Sequence, residues 1–245
     1  MRFLRQLRYG ERQPKLVIPP AFNRNSSTVT SLMSPEQSGC WLLERMRRRL
    51  GFETYSDKRV LDFGCGVRFS QAIINTDLPF GRYVGVDVYR EMIEFLQRAV
   101  RDARFHFVFL NAHHPLYNPD GISLSQDLRL PIGTKAFSVV CLFSVLTHQY
   151  PNDSRSILSI LRRHVAVDGH LFFTCFLDDS IQSFEDRSPE RNGGRCFYNP
   201  VYLMELVESC GWRFVDREPG EGPLIADSFV FSPAADESFG YRRPN

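Results

Sequence analysis

From residue 58 onward, short apolar runs alternate with amphipathic segments and with turns that carry glycine, proline or an acid. Such runs are typical of buried strands, and the amphipathic segments are typical of helices that cover a sheet. Strands are expected at 59–63, 83–88, 105–110, 137–142, 170–177, 212–216 and 228–231, and helices at 67–75, 91–101, 152–164 and 198–210. The alternation predicts an α/β domain with helices on both faces of one sheet.

The chain before residue 58 has a different pattern. Residues 1–35 carry Arg, Asn, Ser and Pro with few apolar positions, which predicts an extended arm. A helix is expected from Ser34, which can cap it, to Gly51, which can end it. Apolar residues recur in it at helical spacing, so its arginines are expected on a solvated face: Arg45, Arg47, Arg48 and Arg49.

Composition narrows the class of protein. The 245 residues are 43% hydrophobic and carry a net charge of +2, as in ordinary globular proteins and without a general attraction to nucleic acid. No apolar run approaches the roughly 20 residues of a membrane span. The six cysteines form no C-x-x-C pair, and Cys65, Cys141 and Cys175 lie in apolar runs as reduced thiols would. A cytoplasmic protein, monomeric or homodimeric, is expected.

The turn after the first expected strand is the most informative stretch. Asp62 ends an apolar run and is followed by Gly64 and Gly66, where backbone can come close to a ligand. Asp87 ends the next apolar run, at a place where a carboxylate can accept hydrogen bonds from both hydroxyls of a ribose. The pattern predicts a cofactor that contains adenosine.

The same turn argues against a dinucleotide. A G-x-G-x-x-G motif would be needed, but no glycine follows Gly66 until Gly81. The charge of Asp62 would repel a pyrophosphate and would favour a ligand that carries an ammonium or sulfonium group.

At this point the sequence resembles the class I S-adenosylmethionine-dependent methyltransferases, whose first motif is D/E-x-G-x-G-x-G. Asp62, Gly64 and Gly66 match the motif, and Arg68 stands where the family usually has its third glycine. Residues 130–140 and the sequence FSVLTH at 143–148 resemble further family motifs around strand four. The resemblance covers residues 58–232 and implies a Rossmann-like seven-stranded sheet of order 3-2-1-4-5-7-6, with the last strand antiparallel.

The resemblance also implies cofactor contacts. Asp62 and Gly64 are expected near the methionine half of S-adenosylmethionine, Asp87 at the ribose, and Asn111 near adenine. Phe63 and Val88 flank the adenine in this interpretation, and plain sheet core is the alternative for both. The full expected cofactor set is Asp62, Phe63, Gly64, Cys65, Gly66, Asp87, Val88, Asn111, Ala112 and Phe143.

Candidate bases lie in the loops that follow strands three to five. His148 is the first choice, because a neutral imidazole takes a proton near pH 7. His113 and Asp178 are further candidates, and a loop contact or a solvated turn is the alternative for each. Expected substrate contacts are His114, Tyr117, Asp179 and Tyr198. No metal is expected, since Asp178 and Asp179 are the only carboxylates placed as a catechol-type site would need.

Three functions remain open at this stage. The first is methyl transfer to a hydroxyl, with an amine as the second choice, of a small-molecule or glycan acceptor, of the type found in bacterial sugar and secondary-metabolite modification. The second is a nucleic-acid methyltransferase, and the third is a protein that keeps the fold and binds without turnover. Residues 1–57 are expected as an arm and helix that form a candidate lid, 58–232 as the cofactor-binding core and 233–245 as a polar tail.

Overall fold

The computed structural model describes residues 14–23, 33–133, 136–188, 194–220 and 226–235. The helices in these ranges are α1 (Pro35–Arg49), α2 (Arg68–Asn75), α3 (Arg90–Ala99), α4 (Pro151–Arg162) and α5 (Pro200–Glu208). The strands are β1 (Tyr55–Phe63), β2 (Phe80–Asp87), β3 (Phe105–Phe109), β4 (Phe137–Leu142), β5 (Val165–Leu177), β6 (Phe184–Asp186), β7 (Cys196–Tyr198), β8 (Trp212–Glu218) and β9 (Asp227–Pro233). Most of the expected arm and tail lies outside the described residues.

The main sheet has the order β3-β2-β1-β4-β5-β9-β8. The pairs from β3 to β5 are parallel, whereas β9 runs antiparallel to both β5 and β8. If β6 and β7 are set aside, this is the predicted order 3-2-1-4-5-7-6 with its last strand antiparallel. The prediction of a Rossmann-like α/β fold is confirmed, and the carboxyl ends of β1, β2 and β4 meet at one edge of the sheet.

The start of β5 differs from the prediction. A turn was expected at residues 167–169, but β5 already begins at Val165. Phe137 pairs with Val165 and Val139 pairs with His170, so β5 bulges between these two pairs. Gly169 lies within the bulge, where a Cβ would be 2.6 Å from the carbonyl oxygen of Phe137. The glycine is therefore explained by close backbone contact and not by a turn.

The segment after β5, residues 178–194, is polar and favours an interpretation as a second flap over the active site. Its described part contains β6, which forms an antiparallel hairpin with β7. β7 extends the end of β5 through the pair Phe176 and Phe197. Tyr198 therefore belongs to a strand and not to the following helix, which begins at Pro200 because the side chain of Asn199 caps it.

Helix α1 begins as predicted, with Ser34 in a capping box with Gln37. The expectation of a solvated arginine face is wrong at Arg45, which is 2% exposed. Its Nη2 donates to the carbonyl of Pro219 at 2.9 Å, and its Nε lies 2.9 Å from Glu218 Oε2 in an ion pair that is not aligned as a hydrogen bond. Arg49 pairs with Asp216 of the same strand. The acids of β8 thus bind arginines that the helix alone would leave in water.

Two apolar clusters fill the two faces of the sheet, as a three-layer α/β fold requires. Cys65, Cys141 and Cys175 are buried free thiols, which confirms their prediction as core residues. None of the described helices is long and apolar enough to cross a bilayer.

Candidate active site

A cavity of about 330 Å³ opens at the carboxyl ends of β1, β2 and β4. One wall comes from the turn after β1 and from the tip of β2, and the opposite walls come from α1 and from the loops after β3 and β4. This is the edge at which open parallel sheets bind their ligands.

The turn after β1 requires glycine at two positions. Gly64 has φ +73° and Gly66 has φ +50°, conformations that side chains disfavour. The amides of Gly64 and Cys65 both donate to the carbonyl of Val86, at 2.8 and 3.1 Å. A Cβ on Gly64 would lie 2.5 Å from Val145 Cγ2, whereas a Cβ on Gly66 would have no protein atom within 4 Å. Gly66 thus leaves space that a ligand can occupy.

Asp87 organises this turn as well as facing the cavity. Its Oδ2 accepts a hydrogen bond from the amide of Gly66 at 3.0 Å, and its Oδ1 accepts one from the amide of Tyr89 at 3.0 Å. The carboxylate therefore fixes the glycine turn of β1 to the tip of β2. An ionised carboxylate is an acceptor for several donors at once, so the same group suits the hydroxyls of a ribose.

Asp62 is a buried carboxyl in the cavity wall, with 2% of its surface exposed. The Tyr83 hydroxyl donates to its Oδ2 at 2.6 Å, and the Cys141 thiol lies 3.6 Å from its Oδ1. Burial raises the pKa of Asp62 to about 7, although the hydrogen bonds from Tyr83 and Cys141 act in the opposite direction. The group therefore changes charge near neutral pH.

The methyltransferase resemblance implies S-adenosylmethionine as cofactor and S-adenosylhomocysteine as its product, and we expect the affinity for this product to rise with pH between about 6 and 8. A ligand ammonium favours ionised Asp62, so binding should release a fraction of a proton near pH 6.5. Calorimetry in buffers of different ionisation enthalpy measures this proton, and Asp62→Asn should abolish the release. The protein without ligand should depend on pH in the opposite direction. The pKa of Asp62 in the folded protein lies above its pKa in the unfolded chain, so its contribution lowers the free energy of unfolding as pH rises from about 4 to 7. A pH-independent affinity would contradict the expectation.

The segment after β4 is strained at Ser144, which has φ +55° although it is not glycine. Its amide donates to the hydroxyl of Thr174, a fully buried residue of β5, at 2.9 Å. Strained backbone of this kind persists only where the surroundings hold it, and it clusters at functional sites. The strained residue leads into a 3-10 turn, Leu146–His148, that presents Val145 and His148 to the cavity.

His148 has a defined hydrogen-bond partner. Its Nδ1 lies 2.6 Å from the carbonyl oxygen of Gly194, which can only accept a hydrogen bond. Nδ1 must therefore carry the proton, and in the neutral ring Nε2 is the acceptor. Gly194 is held in turn by the β6–β7 hairpin, where a Cβ on it would collide with the carboxylate of Asp186.

A second wall is aromatic. The rings of His114 and Tyr117 stack with centroids 4.5 Å apart, and Tyr117 stacks on Tyr89 at 5.6 Å. Tyr89 then meets Phe22 edge to face at 5.5 Å. His113, beside this stack, has its Nδ1 2.9 Å from the carbonyl of Pro119. The stack gives the cavity a flat, largely apolar side.

The structure brings most of the predicted site residues together. The cavity is lined by Asp62, Phe63, Gly64, Cys65, Gly66, Asp87, Val88, Ala112, His113, His114, Tyr117, Phe143 and His148. The four predicted residues outside its lining are Asn111, Asp178, Asp179 and Tyr198.

These four residues have other surroundings. Asn111 is exposed, and its Oδ1 accepts a hydrogen bond from the Asn118 amide at 3.1 Å. Hydrogen bonds from Ser180 and then the Arg187 guanidinium hold the pKa of Asp178 well below its usual range. Asp179 is exposed.

Tyr198 is fully buried, and its hydroxyl contacts Ser154 and the carbonyl of Gln149 at 2.8 and 2.7 Å. A low pKa at Asp178 disfavours proton uptake near pH 7, and a fully buried Tyr198 is not exposed to substrate.

Sequence reasoning missed several lining residues. Phe22, Pro35 and Leu42 come from the N-terminal segment, which carries no motif for this role. Tyr89 lies two residues after the recognised acid Asp87, and this adjacency was a usable signal. Arg68 was recognised at the position of the third glycine but was not included in the expected cofactor set. Among the described residues no group of three or more His, Cys, Asp or Glu is placed to hold a metal ion.

These features fit S-adenosylmethionine. The cradle at Gly66, the acid at the tip of β2 and the buried carboxyl of Asp62 match a ribose and a cationic amino acid, as the sequence motif implies. The aromatic side adds apolar surface of the kind that planar groups pack against.

Comparisons with known proteins agree with this fit. A family model described as a methyltransferase domain matches residues 41–216. The malonyl-[acyl-carrier protein] O-methyltransferase of Bacillus cereus is 25% identical over 171 residues, which are 64% of this chain and 56% of that protein. The chain therefore spans little more than half the length of this curated relative.

Solved structures show the same fold. The 1,6-didemethyltoxoflavin-N1-methyltransferase of Burkholderia thailandensis, crystallised with 1,6-didemethyltoxoflavin and S-adenosylhomocysteine, is 17% identical with a TM-score of 0.55, over 84% of this chain and 81% of that chain. A glycopeptide N-methyltransferase in complex with S-adenosylhomocysteine is 10% identical with a TM-score of 0.57, over 82% of this chain and 91% of that chain.

The fold and the site are those of a class I S-adenosylmethionine-dependent methyltransferase domain, and the cavity has the groups that would hold S-adenosylmethionine. Because the family model covers more than half of the sequence, the chain belongs to the methyltransferase domain family.

Proposed function

We propose that this methyltransferase acts on a hydroxyl of a small-molecule or sugar-containing acceptor, with His148 as general base and an amine as the alternative acceptor group. The single observation that carries the proposal is the hydrogen bond from His148 Nδ1 to the carbonyl of Gly194. It orients a cavity-lining imidazole and leaves Nε2 as the acceptor.

The proposed chemistry needs few groups from the protein. S-adenosylmethionine supplies, when bound, a methyl group on a positively charged sulfur. The protein must hold the acceptor in line with that methyl group and remove one proton from the attacking atom. His148 takes the hydroxyl proton at Nε2 as the new oxygen–carbon bond forms and the carbon–sulfur bond breaks.

An oxygen acceptor is favoured because a hydroxyl must lose its proton, whereas an uncharged amine can attack before it loses one. The relatives named above include one O-methyltransferase and two N-methyltransferases, so their names leave both atoms open. The oriented base is what favours oxygen in this chain.

The shape and polarity of the cavity support this acceptor class. The stacked rings of His114 and Tyr117 offer flat faces to a sugar ring or a planar acceptor, and His113 adds a polar group beside them. Asp178, Asp179 and Tyr198 are not carried into this proposal, since they lie outside the cavity lining.

Nucleic acid is not favoured as a partner. The sequence suggests this alternative only through the arginines of α1 and the arginine-rich residues 1–8, which lie outside the described residues. The arginines of α1 take part in ion pairs: Arg45 with Glu218, Arg47 and Arg48 with Glu44, and Arg49 with Asp216. Paired charges contribute little to the attraction of phosphate groups.

The test is turnover with a panel of hydroxyl-, sugar- and amine-bearing acceptors, measured as formation of S-adenosylhomocysteine. With an acceptor in hand, we expect His148→Gln to lower kcat by about 10²- to 10⁴-fold, because proton removal is lost. The affinity for S-adenosylhomocysteine should stay within about threefold. His113→Gln, at a second of the three imidazoles that line the cavity, is the control and should lower kcat much less.

Two results would overturn the proposal. Full turnover by His148→Gln would remove the histidine from the chemistry. A product whose new methyl group is on nitrogen, located by NMR, would replace the hydroxyl acceptor by an amine.

A further inference from the structure

Arg68 departs from the methyltransferase motif at a position that lines the cofactor cavity. It occupies the position of the usual third glycine and is the first residue of α2. Its side chain is partly buried and lines the cavity beside Gly66 and Phe69. Burial alone lowers the pKa of Arg68, but a guanidinium remains charged in proteins. A fixed positive charge thus lies in the wall of a cavity that binds a zwitterionic amino acid.

The packing of α1 confines this side chain. A Cβ on Gly39 of α1 would lie 2.8 Å from the carbonyl oxygen of Arg68 and 3.2 Å from its Cγ. The two helices therefore cross closely over the aliphatic part of Arg68. Pro35 and Leu42 of α1 line the same cavity, so the confined side chain lies between α1 and the glycine turn.

The glycine turn cannot hold an anion with its own amides. The amides of Gly64 and Cys65 both donate to the carbonyl of Val86, and the amide of Gly66 donates to Asp87. A ligand carboxylate at this turn would also face the carboxyl groups of Asp62 and Asp87. A nearby cation is needed to hold such a carboxylate.

We propose that Arg68 binds the carboxylate of the methionine half of S-adenosylmethionine. In other family members a glycine usually occupies this position, and only its backbone can be close to the cofactor. Asp62 complements the ammonium group of the same amino acid, so the two charges of the ligand meet opposite charges of the protein. A guanidinium suits this role because it pairs with a carboxylate through two parallel hydrogen bonds.

The test compares S-adenosylmethionine with its decarboxylated analogue, which keeps the sulfonium and the amine but lacks the carboxylate. Dissociation constants are measured by calorimetry for the wild type, Arg68→Met and Arg68→Lys. Arg68→Met should weaken the binding of S-adenosylmethionine by about 10- to 100-fold and should change that of the decarboxylated analogue by less than about threefold. Arg68→Lys keeps the charge but not the paired donors of the guanidinium. Its dissociation constant for S-adenosylmethionine should lie between those of the wild type and Arg68→Met.

Arg90→Met is the matched control. Arg90 is the first residue of α3 and stacks over Phe109, outside the cavity lining. Its substitution removes the same charge and should leave both dissociation constants within about twofold. Thermal unfolding without ligand shows whether each variant is folded.

Equal weakening of both ligands by a folded Arg68→Met would assign Arg68 a structural role and overturn the proposal, and so would no weakening of either. The acceptor takes no part in these titrations, so the result does not depend on which atom the enzyme methylates.

Discussion

Asp87→Ala is expected to weaken the binding of S-adenosylhomocysteine by about 100-fold or more. Two charge-assisted hydrogen bonds to the ribose hydroxyls would be lost, each contributing roughly 1.5–3 kcal/mol. The loss extends to the protein itself, because the carboxylate also accepts from the amides of Gly66 and Tyr89. Without it the glycine turn is no longer fixed to the tip of β2.

Calorimetric titration measures the effect, and two variants define its cause. Asp87→Asn keeps one oxygen acceptor in the same shape, so its affinity should lie between those of the wild type and Asp87→Ala. Asp57→Ala removes an exposed carboxylate of β1 and should change nothing in binding, because Asp57 lies outside the cavity lining. Retention of wild-type affinity by a folded Asp87→Ala would show that the ribose is bound elsewhere.

Gly64→Ala is expected to lower the free energy of unfolding by roughly 2–6 kcal/mol and to abolish cofactor binding. Backbone strain at φ +73° contributes about 1–3 kcal/mol. Contact of the new methyl group with Val145, at 2.5 Å, adds a further 1–3 kcal/mol or so of overpacking. Relief of that contact would displace the loop that presents His148.

Gly51→Ala separates the two causes. Gly51 has φ +65°, yet a Cβ on it would have no atom within 4 Å, so this variant carries the strain without the collision. We expect Gly51→Ala to lower the free energy of unfolding, measured by urea denaturation, by about 1 kcal/mol and to bind cofactor with wild-type affinity. Equal destabilisation by the two variants would show that Val145 moves aside without cost.

The nucleotide-binding half of the fold was predictable because its determinants are local. Gly64 and Gly66 adopt backbone conformations that other residues disfavour, and Asp87 lies only 21 positions from the amide that it binds. Short apolar runs on either side of such turns leave few alternatives to a parallel strand pair. The order of the remaining strands came from family resemblance and not from periodicity.

Features that depend on distant parts of the chain were not predictable in this way. The sequence pattern of α1 predicts Arg45 on the solvated face. Its burial depends on Pro219, which lies 174 residues away. Tyr198 was taken as a cavity residue because its strand, β7, is too short to show a pattern. Asn111 follows β3 as the family motif requires, but the loop that folds back through Asn118 binds its side chain.

The β6–β7 hairpin is the part of the site for which the sequence carried the least signal. Residues 178–194 are polar and contain turn formers, which is typical of a loop. The hairpin is nevertheless what holds Gly194 against His148. Polar composition therefore concealed a structural role that only the pairing of strands reveals.

The ion pair between Arg45 and Glu218 also bears on how the protein is made. A ribosome synthesises α1 well before β8, because Arg45 and Pro219 lie 174 residues apart. At about 5–20 residues per second the interval is on the order of ten seconds or more. During that time Arg45 can form neither its ion pair with Glu218 nor its hydrogen bond to the carbonyl of Pro219. Burial of an unpaired guanidinium is costly. The helix that supplies Pro35 and Leu42 to the cavity therefore packs in its final position only after β8 has been synthesised, and a nascent chain that stops before β8 lacks a finished cofactor site.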